Sequence, residues 1–195
     1  MSKQVTTPKF RVSFVNLFEP TTFDGKTTFN AELIFPADAD LSGMKAAAAF
    51  AVQDKWKGNT PQPLSNPFKS GTELNDQRVA AGKKRLPGYD GCTFVRVKSF
   101  DKPRVVDEHV KEVPALESGK VYAGSYGFAQ LGASAWSHQT GGNGVSFYLN
   151  MYQFAADGER LDARQDPNDV FTQQGGAGNP AAPADNGTGA GGMFD

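Results

Sequence analysis

The sequence predicts a mainly β protein: an OB-like five-stranded β-barrel with one well-marked α-helix, a long irregular insertion and a flexible C-terminal tail. Three observations carry that reading. At least five segments alternate apolar and polar residues with a period of two, against one stretch of clear helical character. Glycines fall inside the later strand segments, where a small barrel needs bends and bulges to close. The last two dozen residues are low complexity and sit outside the patterned part. A β-sandwich is the alternative packing for the same strands.

The elements follow in order. Residues 9–18, KFRVSFVNLF, place Phe10, Val12 and Phe14 on one face, with Arg11 and Ser13 on the other. Asp24-Gly25 is a hairpin turn signal, and residues 27–35, TTFNAELIF, alternate again, so the first two strands form a long hairpin. Pro36 stops the second strand. A helix is expected over 41–56, because the Ala run has the highest helix propensity and Asp38, Asp40 or Ser42 can cap its start. Residues 58–91 are rich in Pro and Gly, with one short helix at 72–81; a connection this long in a compact domain is usually functional or mobile. Further strands are expected at 92–100, extended by 103–106, at 120–131 and at 144–154, the last two joined by the loop GASAWSHQTGGNG. From residue 172 the chain lacks Lys and Arg and cannot bury enough apolar surface to offset its ordering entropy. The expected organisation is a domain at 1–171, with an insertion at 58–91, and a tail at 172–195.

Composition narrows the function. The chain has 195 residues and one cysteine, Cys92, too few for an internal disulfide or a cysteine-rich zinc site. Cys92 reads as a small core residue. No apolar run approaches the ~18 residues of a membrane span, and the N-terminus has no apolar signal segment. Net charge is −1, but it is unevenly spread. Residues 1–155 carry 18 Lys+Arg against 14 Asp+Glu, and residues 156–195 carry 2 against 7. A mildly basic body and an acidic end suit a polyanion partner for the body.

The basic surplus is concentrated. Lys83, Lys84, Arg85, Arg96, Lys98, Lys102 and Arg104 face only Asp90 and Asp101 between residues 83 and 104. Within this stretch, TFVRVKSF puts Thr93, Val95 and Val97 on one face and Phe94, Arg96, Lys98 and Phe100 on the other. Aromatic rings and cations then alternate at about 6.8 Å, two strand rises. Cations attract phosphates, and rings give bases a stacking platform worth about 1–3 kcal/mol each. Tyr89 at the end of the insertion, and Tyr126, Tyr148 and Tyr152 on the last strands, are candidates for the same surface, since a tyrosine tolerates a half-wet site.

Catalytic and cofactor signals are thin. There is no phosphate-binding glycine loop, and TGGNG at 140–144 is a turn. Asp107, Glu108 and Glu112 beside His109 are the one local acidic cluster, read as an exposed charged segment; His138 lies in a Gly/Ser loop without nearby acids. No enzyme, metal or cofactor is expected.

FRVSFVNLFEP, ELIFP, GYDG before a basic and aromatic strand, PRVVD, VYAGSYGFAQ and GVSFYLNMYQF together resemble the phage-encoded single-stranded DNA-binding proteins with an OB fold, over about residues 9–155. The resemblance implies a non-enzymatic protein that coats single-stranded DNA in phage replication, recombination and repair, in the cytoplasm of an infected bacterium. It also implies a C-terminal tip for docking replication or recombination proteins, here Met193, Phe194 and Asp195. The tip departs from the family pattern in being poor in acids, which favours docking over electrostatic mimicry of DNA. Double-stranded DNA is expected to bind more weakly, and a homo-oligomer suits a chain too short to wrap much DNA. The competing reading of the same residues is a virion component with a β-barrel or sandwich body.

Overall fold

The computed structural model describes residues 3–162, so the expectations placed on residues 163–195, Met193, Phe194 and Asp195 among them, lie outside the described residues. The described chain holds β1 (Gln4–Thr6), β2 (Phe10–Phe23), β3 (Lys26–Phe35), α1 (Ser42–Trp56), β4 (Leu64–Ser65), β5 (Phe68–Ser70), α2 (Gly71–Ala80), β6 (Thr93–Ser99), β7 (Arg104–Val106), a 3-10 turn (Ala115–Lys120), β8 (Tyr126–His138) and β9 (Gly142–Ala156).

Five of these strands close a ring. β2 pairs with β3, β3 with β6, β6 with β9, β9 with β8, and β8 returns to β2 at Phe10–Gly127 and Arg11–Tyr126. All joints are antiparallel except β6–β9, as an OB-like barrel requires. Short strands decorate the ring: β1 on β8, β5 on β6, and β4 and β7 on β9.

Side-chain alternation fills the barrel. Phe10, Val12, Leu33, Phe35, Val95, Val97, Leu131, Phe147 and Leu149 point inward and are buried. Phe10 meets Phe35 and Tyr152 edge-on, with ring centroids 5.7 and 5.8 Å away. Such pairs add about 0.5–1.5 kcal/mol each beyond area burial. α1 joins this core through Met44, Ala47, Ala48 and Ala51. Its first turn is tied by the Ser42 amide, which donates to Asp40 Oδ1 at 2.9 Å. α2 starts on Ser70, whose hydroxyl accepts from the Glu73 amide at 3.2 Å, the Ser-x-x-Glu arrangement of a capping box.

Two sequence expectations change. Residues 120–125 are not strand: the 3-10 turn and a bend precede β8, where Ser125 Oγ donates to the Tyr122 carbonyl at 2.9 Å. The loop expected between the last two strands is mostly strand too, since β8 and β9 stay paired to His138–Gly142. Gly144 permits this, because a Cβ there would lie 2.5 Å from the Trp136 ring.

Candidate nucleic-acid interface

β2, β3 and β6 lie side by side, and their outward residues form rows across the sheet. Arg11, Ile34 and Phe94 make the first row, Ser13, Glu32 and Arg96 the second, Asn16, Asn30 and Lys98 the third. The insertion covers the first row: Tyr89, Leu74, Leu86 and Cys92, joined by Leu161, pack on Ile34 and Phe94 as a second small core. The Tyr89 and Phe94 rings meet edge-on at 5.3 Å. The Cys92 thiol belongs to this packing, and burial raises its pKa.

The second row is the boundary of the cover. The Glu32 side chain is 11% exposed. Its Oε2 accepts from the Tyr89 hydroxyl, and its Oε1 accepts from Arg96 Nε at 2.6 Å. Burial, and then the Glu32 carboxylate, push the Tyr89 pKa well above the ordinary phenol range. Arg96 is 66% exposed, so the rest of its guanidinium faces outward.

Beyond that boundary the face is open. A groove of about 640 Å³ runs over the third row, lined on the β6 and β9 side by Arg96, Lys98 and Ser146 and on the β2–β3 side by Phe14, Asn16, Phe23 and Asn30. At its rim Lys98 Nζ lies 5.9 Å from the ring centroids of both Phe100 and Tyr148, which are 6.3 Å apart. Among the described residues no carboxylate pairs with Lys98, and Phe100 is 57% exposed.

The structure therefore gathers Arg96, Lys98, Phe100 and Tyr148 and separates the other expected residues from them. Three expectations are corrected. Phe94 is buried under the insertion, on the face expected to be open. Tyr89 is buried with it, because its hydroxyl is used inward on Glu32. Tyr152 is a core residue of the barrel, where burial raises its pKa. Parity misplaced it because β9 bulges at Asn150: Leu131 faces Leu149, but Gln130 already faces Met151. Tyr148 precedes the bulge and stays outside, whereas Tyr152 follows it and turns in.

Tyr126 lies elsewhere, in a smaller hollow of about 260 Å³ shared with Lys9, Arg11 and Gly88. Lys9 Nζ is 5.6 Å from its ring centroid, while Arg11 Nε donates to the Gly124 carbonyl at 3.1 Å. Arg85 pairs with Asp90 at 2.6 Å and Asp76 at 3.1 Å, and Arg104 pairs with Glu112 at 3.8 Å. Lys83, Lys84 and Lys102 are exposed but do not line the groove. Asp107 and Glu108 are held by Lys120, at 3.9 and 2.8 Å, and backbone amides of His109 and Lys111 also donate to Asp107.

Sequence reasoning missed the β2–β3 side of the groove. It put Phe14 in the core and gave no role to Phe23, Glu32, Asn16 or Asn30. The available signal was composition: TTFDGKTTFN is too polar around its phenylalanines to be two buried strands.

A family model described as the single-stranded DNA-binding protein of Enterobacter phage Enc34 matches residues 3–180. Solved structures share the fold. The single-stranded DNA-binding protein from bacteriophage Enc34, solved in complex with single-stranded DNA, aligns at TM-score 0.69 and 14% identity, covering 82% of this chain and 89% of its own. A C-terminal truncation of that protein aligns at TM-score 0.67 and 14% identity, covering 80% and 88%. The single-stranded DNA-binding protein gp2.5 of bacteriophage T7 aligns at TM-score 0.55 and 16% identity, covering 92% and 100%. No curated protein matches the chain.

Proposed function

The chain belongs to the Enc34-type family of phage single-stranded DNA-binding proteins, and on that premise we propose that it holds the strand in the open groove over β3 and β6. The family is one of binding proteins, not of enzymes. The observation that carries the proposal is the Lys98 cluster. An ammonium without a carboxylate partner among the described residues sits between two exposed rings at the rim of a groove. The cation attracts phosphate, and Phe100 and Tyr148 offer faces to bases of any sequence. Arg96 adds a second cation. Lys83, Lys84, Lys102 and Arg104 supply a diffuse field that steers the polyanion without touching the groove.

The wider role follows from binding of this kind. The protein coats and protects single-stranded DNA during phage replication, recombination and repair in the host cytoplasm, with neighbouring copies bound along the strand. Its domain of about residues 1–171 does the binding, double-stranded DNA binds more weakly through phosphates alone, and the segment from 172 docks partner proteins through Met193 and Phe194.

Titration of labelled oligonucleotides at several salt concentrations tests the groove. Affinity falls steeply with salt and depends little on base composition. Lys98→Ala with Phe100→Ala weakens binding by at least tenfold, since about 1–3 kcal/mol per stacked base and one phosphate contact are lost. Unchanged affinity in the double variant overturns this placement of the strand.

A further inference from the structure

The β2–β3 hairpin reaches beyond the barrel. β3 pairs with β6 only as far as Phe29–Ser99, and β2 meets β8 only at Phe10 and Arg11. The outer part of the hairpin is therefore a two-stranded ribbon. It is stiffened along its length. Asp24 and Gly25 both have positive φ, 49° and 70°, the two-residue turn that matches strand twist. Thr22 and Thr27 hydroxyls meet at 3.0 Å, Asn30 Nδ2 donates to Thr21 Oγ1 at 2.6 Å, and Asn16 Nδ2 donates to Asn30 Oδ1 at 2.9 Å.

Two large rings sit on this ribbon and line the groove. Phe23, next to the turn, is 85% exposed. Phe14 is 49% exposed and occupies a bulge, because Ser13 faces Glu32 while Asn16 faces Asn30. Its φ is +48°, a conformation that a bulky side chain adopts only under strain. The bulge needs an extra residue there, and glycine or asparagine would supply it with less strain. An exposed phenylalanine at a strained position contributes little to the fold. Its ring is presented to the groove, opposite the side that carries Lys98.

We propose that the β2–β3 ribbon is the second wall of the DNA site, with Phe14 and Phe23 each stacking on a base. The single strand then runs between this wall and the Lys98–Phe100–Tyr148 cluster. The proposal rests on the groove reading above. The ribbon contributes π-faces and Asn and Thr hydrogen-bonding groups, with Asp24 and Lys26 balancing at the tip. Its share of affinity is consequently stacking, which salt screens little, whereas the opposite side supplies the cations.

The test uses the full chain, a labelled oligothymidylate and four variants. Phe23→Ala and Phe14→Gly each lower affinity by roughly 5- to 150-fold, the range that stacking of one base implies. The slope of affinity against salt stays that of the parent, because no phosphate contact is removed. Phe14→Gly melts at or above the parent temperature, since glycine relieves the positive φ. Phe14→Trp and Phe23→Trp keep their affinity, and their added fluorescence is quenched by the oligonucleotide beyond the response of Trp56 and Trp136. Unchanged affinity in Phe23→Ala and Phe14→Gly, or added tryptophans that do not respond to DNA, overturns the ribbon's role. A parent protein that fails to bind the oligonucleotide sinks the groove reading itself. Loss in Lys98→Ala/Phe100→Ala without loss in the ribbon variants sinks only the second wall.

Discussion

Glu32 is the residue where the cover of the sheet and the groove meet. A carboxylate in the floor of a polyanion site opposes binding, yet this one also occupies Arg96 at 2.6 Å. Phosphate and Glu32 compete for the same guanidinium, so the pair adds no net charge to the groove while it stays closed. Glu32→Gln removes the competitor. Binding of single-stranded DNA is expected to tighten, and the salt slope to steepen by about 0.7–1, one more phosphate neutralised. Anisotropy titrations at several salt concentrations measure both. In an Arg96→Ala background the same substitution should leave the slope unchanged, and a persisting effect there would mean direct repulsion by Glu32 instead. Single positions of this kind were half legible. Arg96, Lys98, Phe100 and Tyr148 could be named because β6, and β9 before its bulge, keep a strict alternation. Phe14 and Tyr152 were assigned to the wrong side because each lies at or after a bulge that reverses the alternation.

Elements were more legible than sides. Both helices lie within a residue of their expected ends, since the Ala-rich stretch and the capping residues act locally. The short strands β1, β4 and β5 went unseen because two or three residues carry no readable period. Close approach between elements gives a sharper handle on stability. A Cβ on Gly127 would lie 2.6 Å from Tyr152 Oη and 2.8 Å from the Gln153 carbonyl, inside the β8–β9 ladder. Gly127→Ala should destabilise by about 1–3 kcal/mol and lower the melting temperature by roughly 3–10 °C. Calorimetry checks it, and an unaltered midpoint would show that the ladder gives way freely. The turn after β7 gives a pH dependence. Backbone amides of Lys111 and His109, with Lys120 nearby, hold the Asp107 pKa below the ordinary carboxylate value. A depressed folded pKa stabilises at neutral pH, and that contribution is lost as pH falls through the carboxylate range. Melting temperature between pH 6 and 3 should therefore fall less in Asp107→Asn than in the parent.

At the scale of the whole molecule, DNA binding and partner docking are expected to separate along the chain. Truncation after Thr172 should leave affinity for single-stranded DNA within about twofold, because the groove lies wholly within residues 14–148. Capture of replication or recombination partners by the truncated form should be lost. A rise in DNA affinity on truncation would instead mean that the segment competes for the groove. The sequence by itself determined the strand-rich class, the placement of the helices, the concentration of cations around β6 and a DNA-binding kind of chemistry. Those properties depend on local propensity, on alternation within one strand and on composition, all of which act over a few residues. Only the tertiary structure decided which rings face the groove, which cations are spent on carboxylates and where the cover ends. Each of these depends on pairs distant in sequence: Tyr89 with Glu32, Tyr152 with Phe10, Lys98 with Tyr148. One extra residue in β2 and one in β9 were enough to turn Phe14 out and Tyr152 in, and a bulge leaves no mark on composition.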